Sequence, residues 1–205
     1  MDIKLNLQKS PEVDIIIEFV KEFRPKNVLE VGSNYGRELK FLEELASVYG
    51  IDKDAEKIET AKGYVDGTFK VAEASAIPYK DNKFDFVYSS GVFAHGPPEA
   101  IKDYIKELFR VSNKYILLVE YIGSRLSKNT IGNCKKNTWI HDYNLLASVL
   151  DVNIKYNQQK FFGTDLFQVL LLEKILKKKT IVNTFFELKE KRFVFKIGKL
   201  KLEIE

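Results

Sequence analysis

The stretch Val28–Leu39, VLEVGSNYGREL, combines a short apolar run with two closely spaced glycines, Gly32 and Gly36. An apolar run of this length is typical of a strand buried on both faces, and we place one at Asn27–Val31. The glycines allow the backbone to turn sharply and to pass close to a ligand. In an open parallel sheet, ligands bind beyond the carboxyl ends of the strands. The stretch therefore predicts a strand, a ligand-binding loop and a following helix.

The same alternation of buried strand and amphipathic helix continues on both sides of this stretch. Helices with an apolar period of 3.6 residues are predicted at Pro11–Phe23, Gly36–Ala46, Asp54–Gly63, Pro97–Val111 and Asp142–Leu150. Further strands are predicted at Ser47–Ile51, Thr68–Ala72, Phe84–Ser89, Tyr115–Glu120, Val152–Tyr156 and Phe167–Glu173. Strands that alternate with helices are typical of right-handed βαβ units. We therefore predict an α/β fold, a doubly wound, mainly parallel seven-stranded sheet, in a domain that covers residues 1–174.

Residues 175–205 are predicted to form a separate, lysine-rich β extension. Apolar residues alternate with polar ones on both sides of Gly198 and Lys199, at Phe193, Phe195, Ile197, Leu200, Leu202 and Ile204. This alternation predicts a C-terminal β-hairpin with one apolar face. An isolated hairpin is only marginally stable, so we expect it to pack on the domain or on a second copy as a homodimer.

The stretch from Gly123 to Thr138 is polar, rich in turn-forming residues, and long for a loop in such a domain. Long irregular loops often act as lids or as binding loops. A solvated loop without such a role fits the composition equally well, and the sequence leaves both interpretations open.

Composition excludes several classes of protein. The chain has 205 residues, of which 45% are hydrophobic and 30% are charged, and these values are typical of a globular protein. The single cysteine, Cys134, excludes an internal disulfide, and two histidines leave little for a metal site, so we expect no metal. A net charge of +4 is too small to indicate nucleic acid as a partner. Since neither a long apolar run nor a secretory leader occurs, we expect no membrane span and a cytoplasmic location.

The glycine loop discriminates between two classes of ligand. A dinucleotide-binding loop has the pattern G-x-G-x-x-G, and its second and third glycines would fall on Asn34 and Arg37. Side chains at those positions obstruct the pyrophosphate and the packing of helix on strand. S-adenosylmethionine contains an adenosine but no pyrophosphate, so it does not need those glycines. Asp52 follows Gly32 by 20 residues, which suits a carboxylate on a ribose, and Glu30 suits a cationic amino group.

From residue 11 to residue 174 the sequence resembles the class I S-adenosylmethionine-dependent methyltransferases, which have a Rossmann-like methyltransferase fold. The matching blocks occur in the order of that family: VLEVGSNYG, YGIDKDAEKIETAK and KVAEASAIPYKDNKFDFVYSSGVFAH. The resemblance implies S-adenosyl-L-methionine as cofactor. It places Glu30, Gly32, Ser33, Asn34 and Gly36 around the methionine part, Asp52 at the ribose, Lys53, Glu73 and Ala74 at the adenine, and Ser90 at the pocket floor.

A narrower resemblance connects the chain with the methylases associated with pseudaminic acid biosynthesis. It rests on EVGSNYG, on the block from SSGVFAHGPPEA to YILLVEYI, on Trp139–Tyr143 and on the strand that ends LLLEK. This resemblance implies a small molecule, a sugar or a glycan precursor as acceptor. Two alternatives remain: an RNA or protein methyltransferase that uses the basic tail, and a cofactor-binding partner protein without activity.

Candidate residues for the transfer step follow the fourth and fifth strands. His95 is the candidate general base, because histidine titrates near neutral pH, although it also fits a role in shaping its loop. Candidate acceptor contacts are Tyr35, Glu120, Tyr121 and His141. Each of these also has a plain structural interpretation, as packing or as a hydrogen bond within a loop. Cys134 lacks the neighbours of a catalytic cysteine, and Asp142 is expected to cap the helix that follows it.

Overall fold

The computed structural model describes residues 9, 11–124, 139–148, 150–175, 186–189, 192–197 and 200–204. Its α-helices are α1 (Pro11–Phe23), α2 (Ala55–Lys62), α3 (Pro98–Val111) and α4 (Tyr143–Ser148). Its strands are β1 (Asn27–Val31), β2 (Ser47–Asp52), β3 (Thr68–Val71), β4 (Phe84–Ser90), β5 (Ser112–Ser124), β6 (Val152–Phe162), β7 (Asp165–Lys174), β8 (Phe186–Lys189), β9 (Arg192–Ile197) and β10 (Leu200–Ile204). The chain divides into two compact units, residues 1–175 and residues 176–205.

The first unit contains a seven-stranded sheet in the order β3-β2-β1-β4-β5-β7-β6. Strands β1 to β5 are parallel to one another. Strand β7 is antiparallel to both β5 and β6. The strand order reverses between β1 and β4, which makes their carboxyl ends the topological switch point where open α/β sheets bind ligands. The predicted doubly wound α/β fold is confirmed.

Both faces of the sheet are covered by apolar side chains. On one face, Val13, Ile16 and Val20 of α1 pack with Leu39, Leu42 and their neighbours. On the other face, α3 contributes Ile101, Ile105, Leu108 and Val111, which are buried against β4, β5 and β7. These helical positions recur at spacings of three and four, so each helix turns a single apolar stripe towards the sheet.

The helix predicted at Gly36–Ala46 does not form. The chain makes turns and a short 3-10 segment at Leu39–Phe41 instead. Leu39 and Leu42 are three residues apart and both are fully buried, a spacing that a 3-10 turn places on one side. Apolar spacing therefore predicted correctly which side of this segment is buried. It predicted an α-helix, however, where the chain forms turns and a 3-10 segment.

Strands β6 and β7 are longer than predicted and form an antiparallel hairpin. Their register pairs Phe162 with Asp165 across a turn that contains Gly163, which has a φ of 64°. Glycine adopts this left-handed conformation at no steric cost. The sequence predicted two strands here without the reversal of direction, because apolar runs alone do not encode it.

The second unit contains an antiparallel sheet in the order β10-β9-β8. The register pairs Leu200 with Ile197, as the predicted hairpin requires. Strand β8 adds to this hairpin and was not predicted. Residues 125–138, which make up most of the predicted long loop, lie outside the described residues.

Candidate functional site

The glycine loop at the end of β1 is held against the end of β2 by backbone hydrogen bonds. The amides of Gly32 and Ser33 both donate to the carbonyl of Ile51, each at 2.8 Å. Gly32, Asn34 and Gly36 all have positive φ, at 78°, 50° and 75°. A Cβ on Gly32 would overlap with Cγ2 of Val92, so this position has no room for a side chain. The loop thus keeps a compact shape next to the carboxyl ends of β1, β2 and β4.

Asp52 connects the glycine loop with the start of α2. Its Oδ2 accepts from the Asn34 amide at 2.9 Å, and its Oδ1 accepts from the Asp54 amide at 3.0 Å. Asp54 in turn caps α2 by accepting from the amides of Glu56 and Lys57. Each Asp52 oxygen keeps a second lone pair that can accept a hydroxyl from a ligand.

Two neighbouring cavities open around the glycine loop, and both are lined by Gly32, Asn34 and Ser90. The first cavity, of about 290 Å³, is also lined by Glu30, Ser33, Tyr35, Arg37 and Glu38. The second cavity, of about 590 Å³, is also lined by Ile51, Asp52, Lys53, Lys57, Ala72, Glu73, Ala74, Gly91, Val92, His95, Gly96 and Tyr104. Together the cavities follow the carboxyl edge of the sheet from β3 to β4.

The first cavity contains a buried pair of carboxyl groups. Glu30 and Glu38 are 4% and 9% exposed, and the Oε2 atom of each has no hydrogen-bond partner among the described residues. Burial raises the pKa of Glu30 well above its usual range, and Glu38 raises it further. Burial also raises the pKa of Glu38 to about 7. The two carboxyl groups on this side of the cavity can therefore hold a proton or bind a cation.

The second cavity has an apolar floor and polar ends. Ile51, Ala72 and Ala74 contribute small or aliphatic groups, while Lys53 and Glu73 are exposed at the rim. Apolar groups together with hydrogen-bonding side chains in one cavity suit a heterocycle with an exocyclic amine. The sequence predicted Asp52, Lys53, Glu73, Ala74 and Ser90 for this side, and the structure brings all five to the same cavity.

His95 lies at the end of the second cavity, on the short 3-10 turn Phe93–His95 that precedes α3. Its side chain is exposed. Two hydrogen bonds hold this turn in place. The Phe93 amide donates to Glu120 Oε2 at 3.0 Å, and the Trp139 amide donates to the Ala94 carbonyl at 2.7 Å. His95 is therefore carried on a backbone that several contacts hold in place.

Two predicted acceptor contacts, Glu120 and His141, support this turn and do not line either cavity. Glu120 is fully buried, its Oε1 accepts from Ser89 Oγ at 2.6 Å, and burial raises its pKa to about 8. His141 Nε2 lies 3.0 Å from the carbonyls of Phe93 and Gly96, so it donates to them. Burial lowers the pKa of His141.

The remaining predicted residues occupy different places. Tyr35 lines the first cavity, and the ammonium group of Lys57 lies 5.9 Å from the centre of its ring. Tyr121 packs edge-on against Phe167, with ring centres 5.9 Å apart, and lines neither cavity. Asp142 Oδ1 accepts from the Leu145 amide at 3.0 Å, as a helix cap does. Cys134 lies outside the described residues.

Several cavity residues were not identified from the sequence, among them Glu38, Arg37, Val92 and Tyr104. Local spacing did not single out Glu38, because it lies in turns around a short 3-10 segment and not on the predicted helix. Within the described ranges, no group of three or more His, Cys, Asp or Glu side chains is arranged to hold a metal ion. Among those same residues, no helix is both long and apolar enough to cross a bilayer.

Comparisons with known proteins agree with this geometry. Residues 28–114, from β1 into β5, match the family profile described as a methyltransferase domain. A search of curated proteins gives no match.

Many solved structures resemble the chain. A methyltransferase from Methanosarcina mazei, described as SAM-dependent, is 22% identical, with a TM-score of 0.63 over 80% of this chain and 98% of that one. The magnesium protoporphyrin IX methyltransferase of Synechocystis, solved with bound SAM, is 17% identical, with a TM-score of 0.66 over 85% of this chain and 87% of that one. A TehB-like SAM-dependent methyltransferase from Corynebacterium glutamicum is 17% identical, with a TM-score of 0.62 over 80% and 87%. At these identities the likeness shows the fold.

Proposed function

We propose that the chain is a class I S-adenosylmethionine-dependent methyltransferase and that it methylates a hydroxyl group of a small molecule, such as a sugar or a glycan precursor. Residues 28–114 match a methyltransferase domain, and the fold resembles that of solved S-adenosylmethionine-dependent methyltransferases. The observation that carries the proposal is the position of His95, at the end of the same cavity that Asp52 and Ala74 line. A proton acceptor beside the cofactor cavity is what an unionised hydroxyl requires.

The cofactor fits the two cavities on grounds of chemistry. A buried oxygen of Glu30 has no partner in the part of the chain that the structure describes, so it needs a donor or a cation, and the α-amino group of the methionine part provides both. Asp52 keeps acceptor capacity for the ribose hydroxyls. Ile51, Ala72 and Ala74 form the apolar surface for the adenine, and Glu73 is at its edge to accept from the exocyclic amine. Arg37 lines the first cavity and matches the methionine carboxylate in charge.

The reaction places modest demands on the protein. The bound cofactor supplies a methyl group on a sulfonium, which is already an excellent leaving group. The residues that line the cavities therefore act mainly by holding the acceptor in line with that methyl group. His95 accepts the proton of the acceptor hydroxyl as the new carbon–oxygen bond forms. An acceptor that is already ionised would not need His95.

The size of the second cavity favours a small acceptor. Its volume of about 590 Å³ lies within the usual range of small-molecule sites, roughly 300–1,000 Å³, and the adenosine would take part of it. Gly91, Val92, Gly96 and Tyr104 surround the space that remains beside His95. A Cβ on Gly96 would lie 2.6 Å from the Tyr104 ring, so the wall is closely packed at this point.

A radiolabel screen tests the acceptor class. The enzyme is incubated with methyl-labelled S-adenosylmethionine and a cell extract that has been separated into small molecules, RNA and protein. We expect label in the small-molecule fraction, and we expect the His95→Ala variant to lose it. Label that nuclease or protease treatment releases would instead support an RNA or protein acceptor. Tight cofactor binding by calorimetry without label in any fraction would support a partner protein without activity.

A further inference from the structure

We infer that Glu30 and Glu38 form a paired carboxyl site that takes the α-ammonium group of the cofactor in exchange for a proton. The inference rests on the proposed placement of the cofactor. It adds Glu38 to the ammonium site, where the proposed function used Glu30 alone. The two residues come from different elements, β1 and the turns after the glycine loop, and both line the first cavity.

The burial of the two carboxyl groups explains why the pair holds a proton before a ligand binds. Both side chains are more than nine-tenths buried, and each has an Oε2 atom without a partner among the described residues. The two carboxyl groups are close enough for the charge of Glu38 to raise the pKa of Glu30 beyond the effect of burial. Two buried carboxylates side by side, without a bound cation, would repel each other at low dielectric. Sharing a proton removes that repulsion.

The charged and titratable groups around the pair do not replace this proton. Arg37, the nearby cation, is exposed and only partly offsets the burial of the two acids. The other neighbours are acids or weak acids: Glu12 on α1, Tyr88 on β4 and Glu120 on β5. Among the described residues, Glu12 Oε2 and the Tyr88 hydroxyl are likewise buried without a hydrogen-bond partner. The surroundings therefore favour a cation in the first cavity.

An ammonium group bound between the two carboxyl groups replaces the shared proton. It donates to both carboxylates and supplies the positive charge that the shared proton supplied before, so that proton leaves to solvent. Because binding then requires loss of a proton, affinity rises with pH as long as the pair holds its proton, and burial raises the pKa of Glu38 to about 7. Ligands that contain the adenosine but no ammonium group do not displace the proton.

Calorimetry in two buffers of different ionisation enthalpy counts the protons released on binding. At about pH 6.5 the amine of the ligand is protonated, because α-amino groups titrate at about 7.7–8.0. We expect S-adenosylhomocysteine to release up to about one proton per ligand bound. Methylthioadenosine, which lacks the amino-acid part, should release none, and this comparison needs no variant. The Glu38→Gln variant should release fewer protons, while Glu44→Gln, an exposed acid six residues further on, should match the wild type.

The outcomes separate the inference from the proposed function. Tight binding of S-adenosylhomocysteine without proton release would overturn the inference and leave the cofactor site intact. Equal release with methylthioadenosine, or undiminished release in Glu38→Gln, would overturn it as well. Failure of both ligands to bind would instead contradict the placement of the cofactor itself.

Discussion

The backbone amide of Asn34 donates to Asp52 Oδ2 at 2.9 Å, which joins the glycine loop of β1 to the carboxylate at the end of β2. Asn34 has a φ of 50°, a conformation that asparagine tolerates better than most residues. The position that fails the dinucleotide pattern thus helps to orient the acid proposed to hold the ribose. A change at Asp52 consequently affects both the ligand contact and the shape of the loop.

Replacing Asp52 with alanine should weaken binding of S-adenosylhomocysteine by about 10- to 100-fold, because the ribose loses its acceptor and two backbone amides lose theirs. Calorimetric titration measures the effect. Asp66→Ala, an exposed acid that lines neither cavity, is the matched control and should bind normally. If the Asp52 variant bound as tightly as the wild type, the ribose assignment would be wrong.

Alanine at Gly32 should be more destabilising than alanine at Gly163. Both glycines have positive φ, so both variants lose about 1–2 kcal/mol to backbone strain. Only at Gly32 would the new methyl also collide with Val92, whereas nothing lies within 4 Å of the Cβ position at Gly163. Urea unfolding of the two variants measures the difference. Equal losses would show that Val92 moves aside at little cost.

The His95→Ala variant should keep its cofactor affinity and lose about 10²- to 10⁴-fold in turnover on a hydroxyl acceptor, as expected for loss of a general base. Initial rates on an acceptor from the radiolabel screen, together with calorimetry, separate the two effects. Full turnover in this variant would reduce His95 to a structural role in its loop.

Glu120 should make the fold less stable as pH rises. Its pKa is about 8 in the folded protein, against an ordinary value of 4.5, so the folded state binds more protons than the unfolded state between those values. Stability therefore falls with rising pH across that window. Glu120→Gln, which keeps a neutral hydrogen-bonding group, should flatten this dependence in urea unfolding between about pH 5 and pH 8. Glu44→Gln should leave the wild-type slope, and an unchanged slope in Glu120→Gln would mean that Glu120 is ionised in the fold.

The sequence predicted the ends of β1 to β4 within one residue, but it did not predict which side chains turn inwards. The run before Gly32 gave β1 with its observed bounds, because apolar length and a glycine define where a buried strand stops. Ser90 and Asp52, which were chosen because they lie at strand ends, line the second cavity. Glu120 and His141 also follow from strand ends and loops, yet they turn inwards to support the Phe93–His95 turn. That choice depends on which polar groups need partners in the folded chain.

Glu38 is a cavity residue that was not identified from the sequence. Acids are rarely buried without a partner, and Glu38 was not among the candidate site residues. The 3-10 geometry after Gly36 places it in the first cavity beside Glu30. Local spacing did not reveal this, because the pairing joins two elements whose separation is set by the sheet and by the buried leucines Leu39 and Leu42.

A crystal structure of the protein with S-adenosylhomocysteine tests the central claim most directly. The account predicts the adenine over Ile51, Ala72 and Ala74, the ribose hydroxyls on Asp52, and the amino group between Glu30 and Glu38. A ligand bound elsewhere, or an amino group that points away from both acids, would contradict it.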